Sequence, residues 1–372
     1  MELKKQKNSK ISNYQFILSV LVVLIHSMTI FINLPGHATQ YVYGTNFSTF
    51  FQIFIGDGIA RIAVPTFFIL SGYLFYNRFN SSVGDYFVKL RKRVHSLVIP
   101  YLFWSSITFF AFFIAQKIPA ISSYFTTRNQ GKLSLQIIID EIVLSSYNSP
   151  LWYCRYLIVF ALLALPCYWL GKKIPVILLG GAFWGWIVGY PIPFAINWMG
   201  IFFYTVGMVL AIHFDQIQSC ACTSWYNDHK VCITWGSAIV WISVLILRTM
   251  HYYKQDPLMM LNGTYDNFVI ITENLGIMFG VIAGWGLYDI LIGTNAPIWN
   301  LSSYSFLIFV CHHPLVNAIK KLMMKIVGVS EGTSLLTFIV APLISLMIII
   351  SFGFVVRRHM KPIWRLATGG RI

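Results

Sequence analysis

Ten apolar runs, most of them close to the length that crosses a bilayer, constrain this chain more than any other feature. They cover roughly 14–33, 50–76, 97–115, 150–170, 174–190, 197–213, 231–248, 267–291, 303–320 and 334–356. A helical span needs about 20 apolar residues for a hydrocarbon core of about 30 Å. In that core the backbone N–H and C=O groups must be satisfied inside the segment, so continuous apolar runs fold as α-helices. Composition agrees. The chain is 57% hydrophobic and 10% charged, with a mean hydropathy of +0.68, against about 25% charged residues in a soluble domain. So few charges do not cover a water-facing surface. The expected fold is all-α, a polytopic membrane helix bundle of about ten transmembrane helices in a single domain, 1–372, with no separate soluble domain. The first run is long and uncut, and reads as a first span rather than a signal peptide.

The net charge of +15 would suggest nucleic acid in a soluble protein; here lysine and arginine collect at span ends, so no nucleic-acid partner is expected. With the N-terminus inside, the cytoplasmic segments hold seventeen of the 27 basic residues and the outer segments eight, among them Arg248 and Lys320. That asymmetry puts both termini in the cytoplasm. The six cysteines suggest no disulfide framework, and Cys220-Ala-Cys222 lacks further ligands at metal-binding spacing, so no metal is expected. Between the third and fourth runs, LSLQIIIDEIVLSSY is amphipathic and is expected at the interface. Outer-loop aromatics (Tyr41, Tyr43, Phe47, Tyr124, Phe125, Tyr252, Tyr253, Tyr265) fit an interfacial belt better than a sugar-stacking site.

The second run is too long for one straight crossing and contains Gly56-Asp57-Gly58, Arg61 and Pro65. Irregular backbone at membrane depth is tolerated where it is buried in protein or lines a cavity, so a broken or tilted helix is expected there. Ionisable groups inside spans are costly and face a bundle interior or a cavity. Here they are His26, Asp57, Arg61, Arg155, Glu273, His312 and His313. His26 lies ten residues beyond Phe16 and His312 nine beyond Ser303, in runs of the same direction. At 1.5 Å per residue both sit about 15 Å deep, near the midplane. Imidazole takes and returns protons near neutral pH, which serves an enzyme or a proton-coupled transporter equally. Arg91-Lys92-Arg93 at the cytoplasmic start of the third run serves as a topology anchor, a phosphate clamp, or both.

Five segments, in order, resemble the acyltransferase-3 membrane O-acyltransferases: VVLIHS, GIARIAVPTFFILSGYLF, KLRKRVHSLVIPYLFW, SPLWYCRYLIVF and SSYSFLIFVCHHPLV. The resemblance runs along nearly the whole chain. It implies a bacterial cytoplasmic (inner) membrane enzyme that moves an acyl group, most often acetyl, from acetyl-CoA to a hydroxyl of a cell-envelope or exported glycan, or of a lipid-linked sugar. The first-span histidine of that family is catalytic and falls on His26; His312 takes the place of the late-motif histidine and is the second expected catalytic residue. The family usually has arginine or lysine eleven positions before the first histidine, where this chain has Gln15. The expected donor-binding residues are therefore Arg91, Arg93 and the Gln15 position, and the expected substrate-binding residues are Arg61, Arg155 and Glu273. A transporter of a small polar solute and a silent scaffold of glycan assembly are the rival readings. Oligomeric state is not legible.

Overall fold

A computed structural model of the chain describes residues 2–32, 34, 40–42, 44–80, 82–125, 131–144, 146–189, 192, 196–252, 266–293 and 296–370. In chain order the helices are α1 (Glu2–Ser27), α2 (Phe47–Gln52), α3 (Ala63–Tyr76), α4 (Val83–Arg93), α5 (Ile99–Lys117), α6 (Leu135–Ile139), α7 (Trp152–Leu162), α8 (Ala164–Lys173), α9 (Pro175–Val188), α10 (Trp198–Ile212), α11 (Phe214–Ser219), α12 (Ala221–Tyr252), α13 (Asn267–Leu291), α14 (Ser305–Val327), α15 (Glu331–His359) and α16 (Lys361–Thr368). A two-residue antiparallel pair, Phe31–Ile32 with Gln40–Tyr41, is the strand content among the described residues. The protein is an all-α membrane helix bundle.

Each apolar run folds as helix, but not each as a full straight span. Ser9–Ser27, Phe47–Tyr76, Val83–Lys117, Ala221–Tyr252, Asn267–Leu291 and Glu331–His359 are long and apolar enough to cross a membrane alone. The fourth run is a bent pair, Ser149–Leu162 and Ala164–Lys173, meeting at 70°. Proline explains the bend. Pro166 has no N–H for the Leu162 carbonyl four residues back, and its ring crowds that oxygen. The Tyr86 hydroxyl donates to the freed carbonyl instead, at 2.9 Å. Helices α9 and α10 are shorter apolar segments, and the 23-residue α14 carries His312, His313 and three lysines.

The expected break in the second run is present. Ile53–Gly58 is a π-helical turn and Ile59–Ile62 a 3-10 turn, joining α2 to α3. The amphipathic stretch expected at the interface forms α6 followed by a π-turn, Asp140–Leu144. It is docked on α5, where the Tyr101 hydroxyl donates to the Val143 carbonyl at 2.9 Å, and it buries Glu141. Tyr252, expected in the outer belt, is 1% exposed inside the bundle. Tyr43, Tyr253 and Tyr265, and the Tyr41 side chain, lie outside the described residues.

Helices α3 and α10 cross at Gly72 and Gly207. A Cβ on Gly207 would overlap the Ile69 carbonyl oxygen, and one on Gly72 would overlap that of Tyr204. Small residues that let backbones touch provide the close packing on which helix association in lipid depends. Phe68, Tyr76, Phe160, Tyr204 and Met208 fill the space around the crossing. Between α1, α12 and α13, Asp289 accepts from Lys10 at 2.6 Å and pairs with Lys230 through its other oxygen. The Lys10 ammonium also sits 3.6 Å from the Trp285 ring centroid, so it holds helices together.

Candidate active site

The last turn of α1 and the middle of α14 meet in a three-histidine cluster. The His26 ring centroid lies 5.2 Å from that of His312 and 4.9 Å from that of His313. The two helices run side by side, with the Ser19 hydroxyl donating to the Ser305 carbonyl at 3.2 Å, which carries the matched depth expected from the sequence into real proximity. His312 is fully buried. Its Nδ1 is 3.0 Å from the Ile308 carbonyl oxygen, an atom that only accepts, so Nδ1 carries the proton. That leaves Nε2 as a lone pair, and it has no partner among the described residues. His313 Nε2 faces the Asn317 amide nitrogen at 3.1 Å.

Lys320 stands at the end of its apolar run, a position that puts it among the outer-rim cations. The structure instead turns it inward, two helical turns after His313 on the same face of α14. Its ammonium donates to the His26 carbonyl at 2.7 Å and to the Met28 carbonyl at 3.0 Å. These are carbonyls at the C-terminal end of α1, where a cation also meets the negative end of the helix dipole. Helix α14 thus supplies both the rings that face His26 and the cation that fixes its backbone.

A cavity of about 1180 Å³ opens below the cluster. Gln15 and Ser19 of α1, Arg93, Ser302 and Ser303, and Arg357 of α15 line it, with Phe67, Tyr153, Phe306 and Phe309 toward the interior. Gln15 lies eleven residues before His26, about 16 Å along the helix. Phe309 lies one turn before His312, ring to ring 6.5 Å, so the inner aromatic wall separates the cavity from the histidines. Of the expected donor-binding residues, the structure brings Gln15 and Arg93 into this cavity; Arg91 is exposed outside it. Arg357, which the charge pattern reads as a cytoplasmic end-of-span cation, is a second guanidinium in the wall and donates to the Ser303 hydroxyl at 2.8 Å.

The expected substrate-binding residues fall in two places. Arg61 and Glu273 belong to one charge network. Arg61 Nε donates to Asp57 at 2.7 Å. Arg248 donates to the second Asp57 oxygen at 2.7 Å, to the Asp57 backbone carbonyl at 2.6 Å and to Glu273 at 3.0 Å. The end of the apolar run at Arg248 points to the outer rim for this residue. Helix α12 continues through Tyr252, and that extra turn puts the arginine inside, with its side chain 2% exposed. Arg155 is elsewhere, its guanidinium donating to the Leu144 carbonyl of the π-turn on α5.

No solved structure matches the chain. A curated protein of Rhizobium meliloti (strain 1021), the succinoglycan biosynthesis protein ExoH, is 21% identical over 361 residues, covering 95% of this chain and 92% of the relative. Residues 10–357 match the family described as "Acyltransferase domain", a stretch that includes both cluster-bearing helices and the cavity wall from Gln15 to Arg357. The chain belongs to the acyltransferase-3 family of membrane acyltransferases.

Proposed function

We propose that this protein is an acyl-CoA-dependent O-acyltransferase of the bacterial inner membrane, with both termini cytoplasmic. It moves an acetyl group from acetyl-CoA to a hydroxyl of a cell-envelope or exported glycan, free or lipid-linked. The observation that carries the reading is the lone pair of His312 Nε2, buried beside His26 and directly beyond a cavity whose wall holds two guanidiniums. A cavity of about 1180 Å³ is above the usual range for ligand pockets, about 300–1,000 Å³, as a long nucleotide thioester requires. Arg93 and Arg357 suit its phosphates, since guanidinium binds phosphate through paired N–H donors. Gln15 offers an amide where the family usually has a cation. The donor, once bound, supplies the activated acyl carbonyl.

The residues divide the remaining work. The acceptor oxygen attacks the thioester carbonyl as its proton passes to the histidine pair, which returns that proton to the thiolate released when the C–S bond breaks; His26 is the expected general base and His312 the partner whose tautomer is fixed by the Ile308 carbonyl. Lys320, bound to the His26 and Met28 carbonyls, fixes the end of α1 on which the base stands. Arg61, Arg155 and Glu273 remain candidates for holding the acceptor; the bonds of Arg61 and Glu273 within the Asp57–Arg248 network make them rigid supports. The name of the curated relative, a succinoglycan biosynthesis protein, supports a polysaccharide acceptor here. The transporter reading finds no support in the family match.

The test is purified protein in nanodiscs with acetyl-CoA and an envelope glycan fraction. Free thiol should appear in step with an acetyl ester on the glycan by mass spectrometry. Absence of thiol release with every short-chain acyl-CoA tried would refute the reaction, and release with succinyl-CoA alone would correct the donor.

A further inference from the structure

The helix that carries His312 and His313 has a gap in its hydrogen-bond ladder at the histidines. In α14 the Val310 carbonyl would normally accept from the N–H of residue 314, but that residue is Pro314, which has none and whose ring pushes the carbonyl aside. A buried backbone carbonyl without a partner is costly. The gap is filled from 162 residues away: the Asn148 side-chain Nδ2 donates to the Val310 oxygen at 2.7 Å. Both residues are 1% exposed. The amide orientation is forced, because the opposite flip would set Oδ1 against the carbonyl lone pairs; Oδ1 accordingly points to no partner among the described residues.

Asn148 is itself anchored. Its N–H donates to the Ser146 hydroxyl at 3.1 Å, and its carbonyl accepts from the Leu151 N–H at 3.0 Å. Leu151, fully buried, packs in the same core cluster as Val310 and Ile308. Tyr86 plays the same part for the Leu162 carbonyl freed by Pro166, but there the bond fixes a bend between α7 and α8. At Asn148 the freed turn spans residues 310–314 and contains both histidines.

We infer that Asn148 is a positioning residue for the histidine pair: its amide replaces the helix hydrogen bond that Pro314 removes, and so sets where His312 and His313 stand against His26. The inference rests on the proposed role of the histidines as working groups. A displacement of the order of 1 Å at reacting groups costs up to about a hundredfold in rate.

The experiment uses the full chain in nanodiscs, with Asn148→Ala and Asn148→Leu, each alone and with Pro314→Ala. Amide hydrogen exchange is read for segment 308–316, with α3 and α10 as controls, and kcat and KM are read with acetyl-CoA. Asn148→Ala should raise exchange in 308–316 but not in the controls, and lower kcat about tenfold or more while KM stays within about twofold. Asn148→Leu, which keeps nearly the volume and has no donor, should behave alike. In the Pro314→Ala background the restored backbone N–H at position 314 reaches the Val310 carbonyl, so removing Asn148 should add little exchange and little rate loss. Unchanged exchange in Asn148→Ala, or an equal effect in both backgrounds, overturns the positioning. A kcat loss matched by raised exchange in α3 and α10 also overturns it, as a general folding defect. If the wild-type chain transfers no acyl group, the proposed function fails while the exchange comparison still decides the place of Asn148.

Discussion

Replacing Arg248 by methionine tests the buried charge network most directly. The substitution keeps most of the volume and removes the guanidinium that satisfies Asp57 twice, at the carboxylate and at the backbone carbonyl of the π-turn, and that also holds Glu273. Asp57 stays 5% exposed with Arg61 as its remaining cation. Breaking a buried ion pair from one side costs about 3–5 kcal/mol, because the other charge is left uncompensated. Two features place this case at the lower end, near ~3 kcal/mol. The Arg61 side chain is 38% exposed and the Glu273 side chain 26%, so Arg61 compensates under solvent screening and Glu273 partly rehydrates. Adding Asp57→Asn removes the orphaned charge and should recover most of the loss, a coupling well above the ~0.3–0.5 kcal/mol scatter of independent sites. The assay is unfolding in mixed micelles by added denaturing detergent, followed by tryptophan fluorescence, on the four members of the cycle. Arg248→Met costing less than about 1 kcal/mol, or a double variant no more stable than Arg248→Met, would refute the reasoning.

Three further outcomes follow from the site. His26→Ala and His312→Ala should each lower acetyl-CoA-dependent thiol release by about 10²–10⁴-fold, the usual worth of a general base, with normal membrane insertion; near-wild-type turnover of either variant removes that residue from the chemistry. Arg93→Ala and Arg357→Ala should each raise KM for acetyl-CoA about tenfold with smaller change in kcat, since a charge-assisted hydrogen bond is worth about 1.5–3 kcal/mol, and an unchanged KM in initial-rate measurements takes the phosphates elsewhere. Gln15→Arg adds a guanidinium to the same wall and should lower KM for acetyl-CoA several-fold at low salt, with the gain shrinking as ionic strength rises; a salt-independent effect on KM argues against charge as its cause.

Much of the fold was legible because hydropathy is a local property. Runs of about 20 apolar residues declare helices in lipid without reference to any partner, and Gly56-Asp57-Gly58 with Pro65 announced the broken second span that Ile53–Ile62 forms. Depth counting placed His26 and His312 at one level, and the structure sets their rings 5.2 Å apart. Local reading failed where a helix outlasts its apolar run. Arg248 lies at the end of one such run and Lys320 at the end of another; each stands inside its helix and turns inward. It failed again at the fourth run, whose composition is continuous but whose Pro166 bends it by 70°.

By itself, then, the sequence determined that this chain is an all-α membrane bundle of the acyltransferase-3 family with a histidine in its first span. Those properties follow from residue type and order within segments of the chain, each read without its partners. The tertiary structure alone decided which polar groups meet. The Arg248–Asp57 bond joins residues 191 positions apart, Lys320 reaches the His26 carbonyl across 294, and Asn148 reaches Val310 across 162. Each joins groups on different helices or turns, set by helix rotation and crossing, and neither periodicity nor composition along one segment of chain carries that information.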